Sequence, residues 1–411
     1  MDDETVTWRE GRWYFSPVVE TGLPHRLGDT VLRRTNRLSK ETQALLYQAA
    51  VLGHTFTFDH LRQISELSDG NILEGLDTAL ERQLIRDVPL EGVMRFSHHT
   101  TRSVLYQNLS PLKQRLIHRE VGETLEQSHV PFAAALAHHF FLAQELEKGL
   151  SYSIQAAAQA RAINASPQAL FWTTRALEAL DQLGPGHVAQ SQRFELLLAR
   201  EQIYDFLDNR PAQADDLAAL QQLTQSLDDP VKKVMVHNRQ AQYERILKHL
   251  PQAAASAQTA LLAARRIDNP LLEAESLIQL AYISAEQGHI ELALAHGHDA
   301  QDFLNGAGAP QAEARSLNCL GDIYRITKDY PQAEKYYRQA LALNQTSGDR
   351  PGEAASLSGL GSLLLETGNF ADAAGCCRQA LELSRLIGQH QIEQACLKNL
   401  ARIDELQIKT V

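Results

Sequence analysis

Several kinds of chemistry are excluded by what this chain lacks. It has no run approaching the roughly 20 apolar residues of a membrane span, and its opening, MDDETVTWRE, is acidic and polar rather than a secretory signal. GxxxxGK[ST] is missing, so no glycine loop with its lysine cradles a phosphate, and no Asp-rich strand end offers magnesium a site. GxSxG is missing as well, and Ser-Gly-Leu-Gly-Ser at 358–362 follows a repeat pattern described below. Cysteines number four, Cys319, Cys376, Cys377 and Cys396, with no CxxC, which suits helical thiols in a reduced compartment. Aromatics make up only 6% of the 411 residues, while alanine and leucine are abundant, a bias toward closely packed helices. The net charge of −11 is spread along the chain and disfavours non-specific nucleic-acid binding.

What the chain does contain is an internal repeat. Leu280-Ala281, Leu320-Gly321, Leu360-Gly361 and Leu400-Ala401 recur 40 residues apart, as do Ala253, Ala293, Ala333 and Ala373, and Ala260, Ala300, Ala340 and Ala380. Leu250, Ile290, Tyr330 and Phe370 form a fourth, apolar column. Each unit reads as two helices. In AEARSLNCLGDIYRI, Leu317, Leu320, Tyr324 and Ile326 keep helical spacing; after TKDY, Pro331 opens the second helix, where its missing N–H costs nothing. Small residues at 321, 333 and 340 let paired helices approach, and large ones at 317, 320, 324 and 337 fill between pairs. The unit at about 232–271 is weaker, with Gln240 in place of leucine, and IDELQIKTV suits a polar terminal cap. Helix pairs are also expected over 145–228, punctuated by GPGH and Asp228-Asp229-Pro230.

Leu317, Leu320, Gly321, Tyr324, Ala333, Tyr337 and Ala340 resemble the tetratricopeptide signature, although the period is 40 rather than the usual 34. That longer period is similar to sensor repeats of large bacterial activators of the maltose-activator type.

The N-terminal part of the chain reads differently. Ser39 is the expected N-cap of a helix over SKETQALLYQAAVLG, followed by helices over FDHLRQIS and NILEGLDTALERQ and a two-stranded hairpin ending in VMRFSHH. Three helices closed by a hairpin describe a winged helix at about 37–97. TTRSVLYQNL and LKQRLIHREVGETLE then lead into the array. This stretch resembles the part just downstream of the nucleotide-binding domain in STAND-class ATPases, with Phe96, His98, Arg102, Tyr106, Arg115, His118 and Leu125 at the characteristic positions. The resemblance implies that His98 contacts the nucleotide phosphate in a full-length protein; on its own it could equally cap a helix or pack under the wing. It also implies that the chain is the regulatory half of a larger switch.

The expected fold class is mainly α, a small winged-helix domain followed by a solenoid of helix pairs over about 130–411. The expected organisation is 1–36 as the trailing edge of a nucleotide-binding domain or a linker, 37–128 as winged helix and connecting helices, 129–231 as degenerate repeats, and 232–411 as tetratricopeptide-like repeats with a half-repeat cap. The expected function is a cytoplasmic, non-enzymatic interaction and signal-sensing module, holding a peptide, a protein or a small inducer on the solenoid's inner face. Register places Asn238, Gln242, Arg245, Tyr282, Arg315, Asn318, Asp322 and Arg325 there, with Asn318, Asp322 and Arg325 as its centre. The alternative is a transcriptional regulator binding DNA directly through the winged helix. That helix carries Glu74, Asp77 and Glu81 against Arg82, and residues 1–130 hold 15 Lys+Arg against 18 Asp+Glu, which is unfavourable to phosphate. His138-His139 and His296-Gly-His298 point apart on a helix and read as packed or solvated rather than as zinc ligands. No cofactor is expected in this chain, ATP or ADP entering only with an upstream nucleotide-binding domain. Oligomerisation is left open.

Overall fold

In the computed structural model, described for residues 3–9, 12–18, 25–88, 92–127, 133–184 and 186–409, contacts divide the chain into two compact units. Unit 1 comprises Met1–Ala162 and Phe171–Pro185; unit 2 comprises Ile163–Leu170 and Gly186–Val411. Residues 19–24 of the expected trailing edge, and the tip of the expected hairpin at 89–91, lie outside the described residues.

Unit 1 opens with the antiparallel strands β1 (Asp3–Arg9) and β2 (Arg12–Val18), then α1 (His25–Thr35). Next come α2 (Lys40–Leu52), β3 (Thr55–Thr57), α3 (Phe58–Ile64), α4 (Asp69–Glu81), β4 (Ile85–Val88) and β5 (Val93–Phe96). Ser39 caps α2 by accepting from the Thr42 N–H. The expected hairpin is there, and it gains a third strand: β3 pairs antiparallel with β5, giving the order β3-β5-β4. Thr55–Thr57 is too short to show period-2 patterning. Leu45, Leu46, Phe56, Leu61, Ile72, Ile85 and Phe96 close a core between helices and sheet. The unit continues through α5 (His99–Asn108), α6 (Pro111–Gln127), α7 (Ala133–Leu142), α8 (Leu146–Ala162) and the larger part of α9 (Ser166–Leu183).

Unit 2 is an array of helix pairs: α10 (His187–Phe206) with α11 (Arg210–Leu227), α12 (Pro230–Ile246) with α13 (Leu250–Arg266), α14 (Pro270–Glu286) with α15 (Ile290–Leu304), α16 (Pro310–Ile326) with α17 (Tyr330–Ser347) and α18 (Arg350–Glu366) with α19 (Phe370–Ile387), ending in the single helix α20 (His390–Lys409). First helices of successive pairs stack on each other, α12 on α14, α14 on α16, α16 on α18 and α18 on α20. From α12 to α19 the helices are close to one length because the backbone turns left-handed at an even step. Asp208, Asp228, Lys248, Asp268, Gly288, Gly308, Lys328, Gly348, Gly368 and Gly388 all have φ between 47° and 83°. Such a residue just past a helix ends it, and glycine, asparagine and aspartate tolerate that conformation best. A capping side chain follows at 209, 229, 269, 329, 349 and 369, accepting from a first-turn N–H, with proline often at the next positions.

Buried residues recur at one register of each pair, Ala241 and Ala257, Ala281 and Gly297 (the latter turned to Leu320 of the next pair), then Gly321 facing Tyr337 and Gly361 facing Cys377. Sizes compensate across the last two couples. A Cβ on Gly321 would lie 2.8 Å from Tyr337 Cε1, and one on Gly361 would lie 2.7 Å from Cys377 Sγ. Gly321 therefore makes room for an aromatic ring rather than for a neighbouring backbone. The same ring meets Gly359 of α18, where a Cβ would fall 2.4 Å from Cε1. Tyr337 is thus clasped between two glycines of different repeats, and its hydroxyl donates to Asp322 Oδ1 at 2.6 Å. The four cysteines are free thiols, Cys376 half-buried and the others buried.

Gly321→Leu is expected to overpack Tyr337 and lower stability by about 1–3 kcal/mol, with Ala333→Leu in the same range. Chemical denaturation monitored by far-ultraviolet circular dichroism checks this; unchanged midpoints for both variants would overturn the assigned packing.

Candidate functional site

A cavity of about 390 Å³ with mixed polar and apolar walls opens on the stacked first helices of unit 2. The repeat explains its make-up. Residues at matching positions of α12, α14 and α16 face one way, and α10 supplies the near wall. Leu198, Met235 and Ile278 form its apolar floor. Five of the eight expected inner-face residues come together here: Asn238, Gln242, Arg245, Tyr282 and Arg315.

Three guanidiniums line the cavity, and each already has a carboxylate. Arg239 grips Glu201 through Nε and Nη2 at 2.6 and 2.9 Å, and Nη2 also donates to Asp205 Oδ2 at 2.9 Å. Glu201 is fully buried and takes a further bond from Gln213 Nε2 at 2.7 Å. Burial alone would push the Asp205 carboxyl up, but Arg239 and Arg210 outweigh it and hold the group below the usual carboxylate range. Arg245 donates to Glu286 Oε1 at 2.7 Å and stands 4.9 Å from the centroid of the Tyr282 ring, covering that face. Arg315 donates to Glu275 Oε1 at 2.8 Å.

Against this background a few polar atoms have no partner. Asn238 is 6% exposed, yet neither Oδ1 nor Nδ2 makes a hydrogen bond. Gln279 Oε1 and Arg245 Nε are likewise unpaired. A buried amide without partners is costly, and all these atoms belong to residues lining the cavity. The wall thus holds unsatisfied donors and acceptors, which a guest reaches once the wall side chains turn. Its lining includes no thiol or imidazole, and its one carboxylate, Glu275, is held by Arg315.

The other three expected residues are used within the array. Asn318 Oδ1 accepts from Ser356 at 3.0 Å, Asp322 accepts from Tyr337, and Arg325 donates to Glu366 Oε1 at 2.5 Å. Burial raises the Asp322 carboxyl even though the Tyr337 hydroxyl works the other way. Asn318 and Arg325 tie pair α16–α17 to pair α18–α19, Asp322 bonds within its own pair, and the cavity sits toward the earlier repeats. Arg239, Gln279 and Glu201 were missed by sequence reasoning. The period placed Arg239 and Gln279 on the same helix face, but nothing in it showed that Glu201, one step before Ala241 and outside the units read from 232 onward, completes the wall chemistry.

In unit 1, His98 occupies the N-cap position of α5 with an exposed side chain and makes no capping bond. Among the described residues no three His, Cys, Asp or Glu side chains are grouped to hold a metal ion. His298 Nε2 pairs with the Tyr324 hydroxyl at 3.1 Å. His138 and His139 are buried, and His139 Nδ1 lies 2.9 Å from His118 Nδ1, whose Nε2 meets the Tyr106 hydroxyl at 2.9 Å. Burial first, then the neighbouring imidazoles and Arg102, push His118 and His139 well below the ordinary imidazole range. Among the described residues no helix is long and apolar enough to cross a membrane.

Comparison with known proteins fits this geometry. Residues 312–385, spanning α16 to α19, match the tetratricopeptide repeat family. No curated protein sequence matches. Among solved structures, the apo form of RapI is similar at 12% identity and a TM-score of 0.51, over 67% of this chain and 98% of that one. A Rap protein complexed with competence and sporulation factor gives 12% identity and a TM-score of 0.49 over 73% and 82%. A signal-transduction ATPase of the STAND class with a tetratricopeptide-repeat sensor, from Pyrococcus horikoshii, gives 14% identity and a TM-score of 0.42 over 95% of this chain. This chain spans 64% of that protein's length. The class defined by fold and repeat is a mainly helical, tetratricopeptide-like solenoid protein.

Two outcomes follow. Arg239→Met strands Glu201 as an uncompensated buried charge and is expected to cost about 3–5 kcal/mol, read by urea denaturation. The histidine effect is one of pH. Because the folded chain resists protonating His118 and His139 while the unfolded chain takes up protons below about pH 6.5, stability is lost as pH falls through that value. Melting curves at pH 7.5 and 5.5 should show the drop, reduced in His118→Phe with His139→Leu; an equal drop in that variant would remove these residues as its cause.

Proposed function

We propose that this chain is a non-enzymatic interaction and signal-sensing module whose inner-face cavity in unit 2 binds an extended stretch of polypeptide. The observation that carries this reading is the unpartnered, nearly buried Asn238 amide in the cavity wall. One acceptor and one donor on the same planar group complement the N–H and C=O of a peptide main chain. The lining guanidiniums are neutralised, which speaks against a carboxylate guest. The Tyr282 face is covered by Arg245, which removes a stacking platform for a sugar. Leu198, Met235 and Ile278 can accept an apolar side chain beside the bound main chain.

Residues 37–97 we read as a winged helix, supported by the order helix, strand, helix, helix and hairpin with β3 joining β5. On this reading the chain is the regulatory half of a STAND-type switch, with residues 1–36 as the trailing edge of its nucleotide-binding domain. The winged helix relays occupancy of the array, and His98 contacts nucleotide in the full-length protein. Direct DNA binding is disfavoured because Glu74, Asp77 and Glu81 are all exposed on α4 beside Arg82.

The test is a random-peptide display selection on the whole chain. Selected peptides should lose about tenfold in affinity on Asn238→Ala, the loss of two neutral hydrogen bonds, with circular dichroism unchanged. Equal binding by the variant would move the site elsewhere. Calorimetry with ATP should show no stoichiometric uptake by the chain alone, and stoichiometric uptake would refute the assignment of the nucleotide site to a separate upstream domain.

A further inference from the structure

The two ends of the helical array of unit 2 meet. The turn between α10 and α11 lies against the turn between α19 and α20. Gln391 Nε2 donates to Asp208 Oδ1 at 3.2 Å, and Ser166 Oγ donates to the Ile387 carbonyl at 3.4 Å. An added Cβ on Gly388 would come 3.9 Å from Leu207 Cδ2, so the two turns are in apolar contact as well. The turn of the first pair therefore meets the turn that opens the last helix, and the array folds back onto its own start.

This closing contact is joined to the cavity by a continuous run of charge-assisted bonds. Arg239 and Gln242, both in the cavity wall, each donate to Asp205 Oδ2 at 2.9 Å. Asp205 Oδ1 is held by Arg210 Nη1 at 2.7 Å, and Arg210 Nε donates to Asp208 Oδ1 at 2.8 Å. Asp208 Oδ1 is the same oxygen that receives Gln391. Asp208 is also the left-handed residue of its turn, with φ 58°, so its carboxylate is placed by a constrained backbone.

We infer that the array is a latch whose closure at Asp208 and Gln391 is coupled to occupancy of the cavity. The inference rests on the reading of that cavity as a ligand site. The polar closing contacts are two, Gln391 to Asp208 exposed and Ser166 to Ile387 part-buried, so the open and closed forms are close enough in free energy for a ligand to shift them. The sign follows from which atoms are free. A guest that bonds Asn238 and Arg245 Nε on α12 and Gln279 Oε1 on α14 tethers two neighbouring first helices without displacing any partner of Asp205. Fixing the angle between neighbouring pairs fixes where the far end of the array arrives, because each pair carries the rotation of the last. Occupancy therefore favours closure, and by reciprocity closure tightens binding.

The experiment needs no ligand. Nitroxide labels are placed on the whole chain at Asp215→Cys and Gln394→Cys, both exposed, in a Cys376→Ser background that leaves only the three buried thiols. Pulsed dipolar spectroscopy reads the distance between them. The parent should give one short, narrow distribution. Gln391→Ala should populate a longer distance, and Asp205→Asn should do the same from within the relay. Each variant should raise the open population about fivefold, the lower end of typical coupling. Arg338→Ala, which breaks an exposed pair with Glu334 outside the relay, should not. If Asp205→Asn loses helicity, Gln242→Met takes its place by removing one of the two cavity-wall donors to Asp205. A broad, long distribution in the parent overturns the latch. Opening by Gln391→Ala but by neither relay variant overturns the coupling. Neither result bears on whether peptides bind, which the display selection answers separately.

Discussion

A backbone forced into the left-handed region at an even step from Asp208 to Gly388, with Gly306 as one addition after α15, is the constraint from which the array follows. Each such turn stops a helix and reverses the chain at once. The next helix then runs back along the last, and first helices recur on the same side, one per repeat. Only with that regularity do Met235, Glu275 and Arg315 fall in one column, and Asn238, Ile278 and Asn318 in the next. Where the beat is interrupted, between Gly184 and Asp208, the step is longer than anywhere later in the array. The boundary between the two compact units falls in the same stretch.

Regular spacing leaves open how the pairs are held together, and here the chain uses two kinds of contact. Inside a pair, alanine, glycine, tyrosine and cysteine trade volume across one close approach, as with Gly321 and Tyr337. Between pairs, ionic and polar links run from one first helix to the next: Arg315 to Glu275, Arg245 to Glu286, Arg325 to Glu366 and Asn318 to Ser356. Exposed links of this kind contribute little singly. Their effect is to set the rotation between pairs. The buried couple Arg239–Glu201 differs, since neither member tolerates loss of the other in a dry environment.

The cavity is where this economy of pairing stops. Nearly every charged group around it is matched, whereas the Asn238 amide is not. A protein that buries a polar group without a partner stores a binding opportunity, and a guest that supplies the missing bonds recovers it. The relay through Asp205 and Arg210 carries the same wall to the place where the array meets itself. The relay and the unpartnered amide thus share one wall.

The fold was legible in the sequence because a repeat multiplies weak signals. One alanine at a helix contact means little, but four at a fixed step are hard to mistake. Ser39 as a cap and Pro331 in a first turn were readable for a similar reason, since each acts on backbone groups close by in the chain. The left-handed column was also present in the letters, as a mixture of Gly, Asp and Lys, although only the dihedral angles reveal its even beat. The inner face was legible as a face, and five of its eight named residues do share one cavity. Tertiary structure alone decided the rest. Helical period places Asn318, Asp322 and Arg325 on one stripe, but whether a side chain faces a guest or a neighbouring repeat depends on what stands opposite. Ser356, Tyr337 and Glu366 stand opposite those three. The three-stranded sheet needed β3, too short to announce itself, to find β5 across two intervening helices and a strand. The buried imidazoles of His118 and His139 meet only because α6 and α7 pack together there. In each case the deciding contact joins residues far apart in the chain, and a periodic pattern records which side a residue faces, not what it meets there.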